Sequence, residues 1–155
     1  MPPDPSPLAL PDSANLLAAG GRLLAAAVLG GVIGAQRERV HSAAGFRTHI
    51  LVSLGAALVV LAGREAGFST PDVSRVVQGI VAGIGFLGAG TILKLAERGE
   101  VHGLTTAATI WVTAAVGVAA SLCPLWLPAF AAVLTWAVLA LARLEGRRSQ
   151  RPPGL

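Results

Sequence analysis

Three groups of polar side chains carry most of the chemistry that this sequence could perform, and each group stands at the end of an apolar run. The first group flanks a short polar segment and consists of Arg37, Glu38, Arg47, Thr48 and His49. Basic residues in such positions commonly anchor helices to lipid headgroups. The alternative is a compact ionic cluster that locks two helices together or contacts a partner. His49 has no Cys or His neighbour at metal-ligand spacing, so no zinc site is predicted.

The second group stands where a turn leads into the central apolar run. Asp72 and Arg75 are three residues apart, so they can pair on one face of a helix. The sequence Thr70-Pro71-Asp72 is typical of a helix start, with Thr70 as the N-cap, proline at the first helical position and an acid in the first turn. We therefore expect a capped helix with an ion pair near its start.

The third group is a ladder of hydroxyl side chains, Thr105, Thr106 and Thr109, together with Gln78 in the preceding apolar run. At helical spacing Thr106 and Thr109 share a face, which continues to Thr113. Threonine in a membrane helix usually bonds back to a carbonyl of its own helix. The alternative is a polar track in which the threonines bond across to Gln78 and to the glycine face of the third apolar run.

The sequence offers little support for enzymatic chemistry. No two carboxylates are placed for acid–base catalysis and no Ser or Cys has an evident His base, so we predict neither an enzyme nor a bound cofactor or metal. Residues 83–88 match G-x-G-x-x-G, but a dinucleotide site needs a preceding strand, and this motif lies inside an apolar run. The single Cys123 excludes an intramolecular disulfide and a Cys-rich metal site.

Composition favours a membrane protein. Of the 155 residues, 54% are hydrophobic and 13% are charged, against about 25% charged in a typical soluble domain. The net charge of +4 comes from basic residues at the ends of apolar runs, so nucleic-acid binding is not predicted. Runs of about 20 apolar residues can cross a bilayer as helices. We predict an all-α polytopic protein with about five transmembrane helices, over residues 15–35, 47–63, 76–93, 104–121 and 125–141.

Two tails flank this transmembrane domain, which we place at residues 14–142. Residues 1–13 are rich in proline and residues 143–155 are basic, and both are expected to be disordered. If the five helices alternate in direction, nine Lys and Arg residues fall on one side, against Arg64, Arg75 and the embedded Arg22. The positive-inside rule then places the N-terminus outside and the C-terminus in the cytoplasm.

Glycines on the predicted helices indicate close helix packing: Gly30, Gly34, Gly79, Gly83, Gly85, Gly88 and Gly90. In water each glycine costs a helix about 1 kcal/mol relative to alanine. In lipid the same residue lets another helix backbone come close. Besides the lipid bilayer, we therefore expect a membrane-protein partner or a homo-oligomer, and both alternatives stay open.

Three segments of the sequence resemble the membrane domain of the MgtC/SapB family. They are GGVIGAQRERVHSAAGFRTHILVSLGAAL, PDVSRVVQGIVAGIGFLGAGTILK and VHGLTTAATIWVTAAVG, in that order, and the resemblance covers roughly residues 15–140. It implies a bacterial inner-membrane protein associated with adaptation to low magnesium and, in pathogens, with survival inside macrophages. The family's Asp-x-Ser-Arg pattern makes Asp72 and Arg75 candidates for an outward-facing polar site.

The resemblance also implies a function and shows two departures. It implies a regulator of other membrane complexes, including the ATP synthase, and the alternative is a transporter or channel for Mg²⁺ or another ion. Mg²⁺ sites need oxygen ligands, mostly carboxylates and waters, whereas the predicted spans contain no acidic residue. Gln36 stands where the family commonly has an acid, although Arg37 and Glu38 are retained. We also expect the cytoplasmic C-terminal domain of longer members to be missing.

Overall fold

The computed structural model describes residues 13–96 and 102–149, and all five regular elements in them are helices. They are α1 (Ser13–Glu38), α2 (Phe46–Glu65), α3 (Thr70–Ala96), α4 (Leu104–Leu122) and α5 (Trp126–Ser149). The all-α prediction is confirmed. Residues 1–12 and 150–155, which contain most of the first predicted tail and the end of the second, lie outside the described residues.

Four of these helices, α1 to α4, are long and apolar enough to cross a membrane. Helix α5 contributes a shorter apolar stretch, Trp126–Leu141. Because so few of their large apolar side chains are buried within the chain, the outer surfaces of the helices suit lipid rather than water.

Two stretches that the sequence predicts to be a loop and a disordered tail are partly helical. Helix α1 continues to Glu38, so Gln36 and Arg37 lie in its last turn and not in the loop. Helix α5 continues to Ser149, so residues 143–149 are helical where a disordered tail is expected. Both extensions are polar, and neither contains a proline or a glycine pair that would stop a helix.

Helix α4 is the centre of the bundle, because it contacts each of the other four helices. Its successive faces bury Ile110 and Ala114 with Ile84 of α3, Val116 with Ile33 of α1, and Ala120 with residues of α1 and α2. Helix α3 packs mainly against α4 and lies at the periphery.

Glycines let α2 pack with its backbone against both α1 and α4. A Cβ atom added at Gly30 would lie 2.6 Å from the carbonyl oxygen of His49, and one at Gly34 would lie 2.8 Å from Cα of Phe46. On the opposite side, a Cβ at Gly117 would lie 2.1 Å from the carbonyl oxygen of Ser53. These three positions require glycine because a side chain there would collide with backbone.

The glycines of α3 are placed differently. A Cβ at Gly88 would meet Ala107 of α4 at 3.5 Å, which is an ordinary contact. Within this chain nothing described lies within 4 Å of a Cβ added at the other four predicted packing positions, Gly79, Gly83, Gly85 and Gly90. Only part of the glycine face of α3 is therefore used inside this chain, because α4 covers one side of that helix.

Candidate functional site

The polar residues at the α1–α2 loop form a hydrogen-bonded cluster with the start of α4. The Arg37 guanidinium donates from Nη2 to Ser42 Oγ at 2.8 Å and to Thr106 Oγ1 at 3.1 Å, and the two hydroxyls are 3.0 Å apart. Thr106 is only 4% exposed. The cluster therefore ties the end of α1, the loop and the start of α4 together with charge-assisted hydrogen bonds.

Glu38 caps the next helix instead of joining this cluster. Its Oε2 accepts the backbone N–H of Phe46, the first residue of α2, at 2.8 Å. A carboxylate at a helix N-terminus satisfies an otherwise unpaired N–H and opposes the helix dipole. Gly45 makes this approach possible, since a Cβ atom there would overlap the Glu38 carboxylate.

His49 and Ser53 lie one turn apart on α2 and are both fully buried. The ring Nδ1 of His49 is 2.8 Å from the carbonyl oxygen of Gly45, so Nδ1 carries the proton and Nε2 is left as an acceptor. Among the described residues, neither His49 Nε2 nor Ser53 Oγ has a hydrogen-bond partner. Gln36 of α1 is also buried, at 2% exposure, whereas Arg47 and Thr48 are exposed.

Beyond Thr106, the threonines of α4 bond back to carbonyls of their own helix, which is the first of the two interpretations given above. Thr109 Oγ1 donates to the carbonyl of Thr106 at 2.8 Å, and Thr113 Oγ1 donates to that of Thr109 at 2.7 Å. All three face the interior, while Thr105 is exposed. Gln78 is exposed on α3, and the hydroxyls of Thr109 and Thr113 bond within α4, so the described residues do not form the alternative track to Gln78.

Asp72 and Arg75 form the expected pair at the start of α3. Their closest N···O distance is 3.8 Å, and 80% of the Arg75 side chain is exposed, so the pair contributes little to stability. Asp72 also accepts hydrogen bonds from the N–H and hydroxyl of Ser69. The N-cap is therefore Ser69 and not Thr70, because the carboxylate of Asp72 reaches back to it as in a capping box.

A second arrangement lies at the far end of α4, where Arg22 is half-buried and Arg64 is exposed. Arg22 of α1 donates from Nη1 to the carbonyls of Ala120, Ser121 and Cys123 at 3.0–3.2 Å. Arg64 of α2 donates to the Ser121 carbonyl at 2.9 Å. Two guanidinium groups thus satisfy the last carbonyls of α4, where the helix dipole favours cations. The only sequence signal was the position of Arg22 inside an apolar run.

The described side chains do not suggest a metal centre, since no three of their His, Cys, Asp or Glu residues are grouped to hold an ion. What the geometry provides is a buried hydrogen-bonding network at one end of the bundle and an arginine-capped helix at the other. Both join helices that are distant in sequence. Their demonstrable role is to fix the bundle and the α1–α2 loop.

Comparison with known sequences identifies the family. The sequence model of the MgtC family matches residues 23–147, which include the hydrogen-bonded cluster of Arg37, Ser42 and Thr106. The chain belongs to the MgtC family. It is a membrane protein of that family, with four helices long enough to span a bilayer. No solved structure matches the chain.

Three relatives show how much of an MgtC-family protein this chain represents. It is 48% identical over 116 residues to protein SrpB of Synechococcus elongatus, covering 68% of this chain and 63% of that protein. It is 49% identical over 123 residues to protein MgtC of Brucella abortus, covering 79% of this chain and 49% of that protein. It is 47% identical over 96 residues to protein MgtC of Salmonella typhimurium, covering 62% of this chain and 40% of that protein. The chain thus spans about half the length of these relatives.

Proposed function

We propose that this MgtC-family protein is a non-enzymatic regulator that binds another protein in the bacterial inner membrane through α3. The observation that carries this proposal is the outer face of α3, where Gly79 and Gly83 have open space before them and Gln78 is exposed. Small residues let a second helix approach closely, and a glutamine in lipid gains a hydrogen bond when a partner helix arrives. Phe86, 82% exposed, lies on the same face.

The physiological setting follows the family. We propose that the partner is a membrane complex whose activity is adjusted during magnesium limitation or intracellular stress, with the ATP synthase as the first candidate. Relatives of this chain carry the name MgtC, but this chain spans only about half of them. The regulatory contact is therefore assigned here to the transmembrane bundle, which is the shared part.

Photo-crosslinking from α3 tests the contact directly. A photoreactive amino acid at Phe86, in native membranes under magnesium limitation, should yield one discrete protein adduct. The same probe at Val138, a 69% exposed position on α5, is the matched control and should yield none. Adducts only with lipid, or the same adducts from both positions, would count against the proposal. An adduct with a second copy of the chain would identify a homo-oligomer in place of a regulated complex.

A glycine substitution separates the contact from folding. Gly83→Leu should abolish the Phe86 adduct while leaving the monomer folded, because nothing in the chain lies within 4 Å of the new Cβ. Gly55→Leu on α2 is the control, since Gly55 also faces open space. Equal adduct yields from Gly83→Leu and Gly55→Leu would contradict the proposal that a partner helix packs against Gly83.

We also propose the orientation given by the positive-inside rule, with the α1–α2 loop in the cytoplasm. Arg22 and Arg64 are exceptions to the bias, and both are hydrogen-bonded to carbonyls at the end of α4, at the opposite end of the bundle. In intact cells, a membrane-impermeant maleimide should label the single native cysteine, Cys123. Ala43→Cys in a Cys123→Ser background should be labelled only after permeabilisation. The reverse pattern would overturn the orientation.

Ion transport is the second candidate, favoured by the polar side chains that run from Thr106 to Thr113 inside the bundle. Two features oppose a Mg²⁺ path: the hydroxyls of Thr109 and Thr113 are bonded to their own helix, and Arg37 places a positive charge at the loop end. Purified protein in liposomes containing a Mg²⁺-sensitive dye should therefore show no flux. Saturable flux that Thr106→Val abolishes would favour transport over regulation.

A further inference from the structure

A polar cleft and an apolar groove meet on the outer surface of α1 and α2. The cleft, which we call the loop cleft, has a volume of about 890 Å³ and is lined by Arg39, His41, Arg47 and Thr48, among others. Its size is that of a small-molecule site. It opens at the end of the bundle where the α1–α2 loop lies.

The apolar groove continues from the loop cleft along the same two helices. This α1–α2 groove has a volume of about 430 Å³ and is lined by Val28, Val32 and Ile50, among others. Two residues, Ala35 and Phe46, line both cavities. One continuous depression thus has a cationic end at the headgroup level and an apolar end beside the hydrocarbon core.

The cations of the loop cleft are available to a ligand. Arg39 and Arg47 are exposed, and neither guanidinium makes a hydrogen bond or ion pair with any residue that the structure describes. The one carboxylate in the cleft, Glu38, accepts the Phe46 N–H, and Arg37 points instead to Ser42 and Thr106. The cleft therefore presents two guanidinium groups that are not ion-paired with any described residue and that outnumber its one carboxylate, which suits a phosphate.

We propose that the loop cleft and the α1–α2 groove together bind one anionic phospholipid, with its phosphate headgroup between Arg39 and Arg47 and an acyl chain along Val28 and Val32. A lipid fits better than a soluble phosphate compound because the apolar groove continues directly from the cationic cleft and lies on the outer surface of two helices that are long enough to span a bilayer. Basic pockets between transmembrane helices are a general means of binding anionic headgroups. The proposal does not depend on the regulatory function.

Lipid titration of the full chain in dodecylmaltoside micelles tests the site. Native mass spectrometry should show tighter binding of phosphatidylglycerol than of phosphatidylcholine, and no binding of glycerol 3-phosphate at the same concentrations. Arg39→Gln and Arg47→Gln should each weaken phosphatidylglycerol binding about five-fold, and the double variant about 30-fold. Arg75→Gln makes the same charge change at an 80% exposed position on α3 and should leave the affinity unchanged.

A second pair of variants tests the apolar end without altering charge. Val28→Trp fills the α1–α2 groove from a 55% exposed position and should reduce binding, whereas Val133→Trp, at a 61% exposed position on α5, should not. Equal binding of the two lipids, or equal loss from Arg39→Gln and Arg75→Gln, would overturn the site. Binding of glycerol 3-phosphate as tight as that of the lipid, unaffected by Val28→Trp, would overturn the choice of a lipid.

Discussion

Gly117→Ala provides the most direct test of how the bundle is held together. The added Cβ would lie 2.1 Å from the backbone carbonyl oxygen of Ser53, 2.9 Å from its carbonyl carbon and 3.0 Å from its Cα. All three atoms belong to the backbone of α2, so no rotamer change can relieve the overlap. To restore an ordinary contact of about 3.4 Å, α2 and α4 must separate locally by about 1.3 Å, the difference between 3.4 and 2.1.

The free-energy cost of that separation follows from the packing around it. Ala57 of α2 and Ala120 of α4 are fully buried in one cluster, and a gap of 0.5–1 Å already loses roughly a quarter to a half of each dispersion contact. Overpacking of a core typically costs about 1–3 kcal/mol. Alanine regains at most about 1 kcal/mol over glycine in a helix. Because the added Cβ meets only backbone atoms, we expect the overpacking cost at the upper end of that range, about 3 kcal/mol, and therefore a net loss of about 2 kcal/mol in the free energy of unfolding.

Reversible unfolding by dodecyl sulfate in dodecylmaltoside micelles, followed by helical circular dichroism and tryptophan fluorescence, measures this loss. Gly83→Ala is the matched control: its Cβ meets nothing within 4 Å, so its stability should equal or slightly exceed that of the wild type. If Gly117→Ala unfolds at the same dodecyl sulfate fraction as Gly83→Ala, α2 and α4 are not in backbone contact and the account of the core is wrong.

Three further substitutions test the remaining contacts with the same unfolding measurement. Arg22→Leu should destabilise the bundle by about 1–2 kcal/mol because it leaves carbonyls at the end of α4 unsatisfied; a loss equal to that of a surface change such as Arg75→Gln would refute the cap. Thr106→Val should cost about 1–2 kcal/mol, and its effect should be non-additive with Ser42→Ala, since the two hydroxyls share one network; simple additivity would contradict the network. Gly45→Ala should cost about 1 kcal/mol by displacing the carboxylate that caps α2; in a Glu38→Ala background, where no side chain remains to be displaced, the loss should vanish, and an undiminished loss would contradict this cause.

Much of the architecture follows from local sequence properties. Apolar run length predicts the helices, and the scarcity of charge within the runs predicts the membrane. Boundaries were less predictable where polar residues extend a helix beyond its apolar part. Gln36 is the clearest case: its side-chain type favours a loop, yet it lies in the last turn of α1 and is almost fully buried.

The candidate site was only partly predictable because its members meet through tertiary packing. The sequence marks Arg37 and Thr106 as polar residues at helix ends. It does not show that their side chains, 69 positions apart in the sequence, come within 3.1 Å of each other in the fold. Ser42 and Ser53 carry no signal of their own. The glycines show the same limit: Gly30 and Gly83 have equivalent patterns, and only the arrangement of the helices places one against backbone and leaves the other open.

The peripheral position of α3 has a consequence for biogenesis. Helices α1 and α2 are joined by a short loop and can pair as soon as both have left the ribosome, whereas the main intramolecular partner of α3 is α4, which is synthesised after it. Helix α3 must therefore enter the lipid, or be held by the insertion machinery, while α4 is still being made, and α4 must then reach α2 without α3 standing between them. A bundle that assembles in this order keeps α3 at its rim throughout.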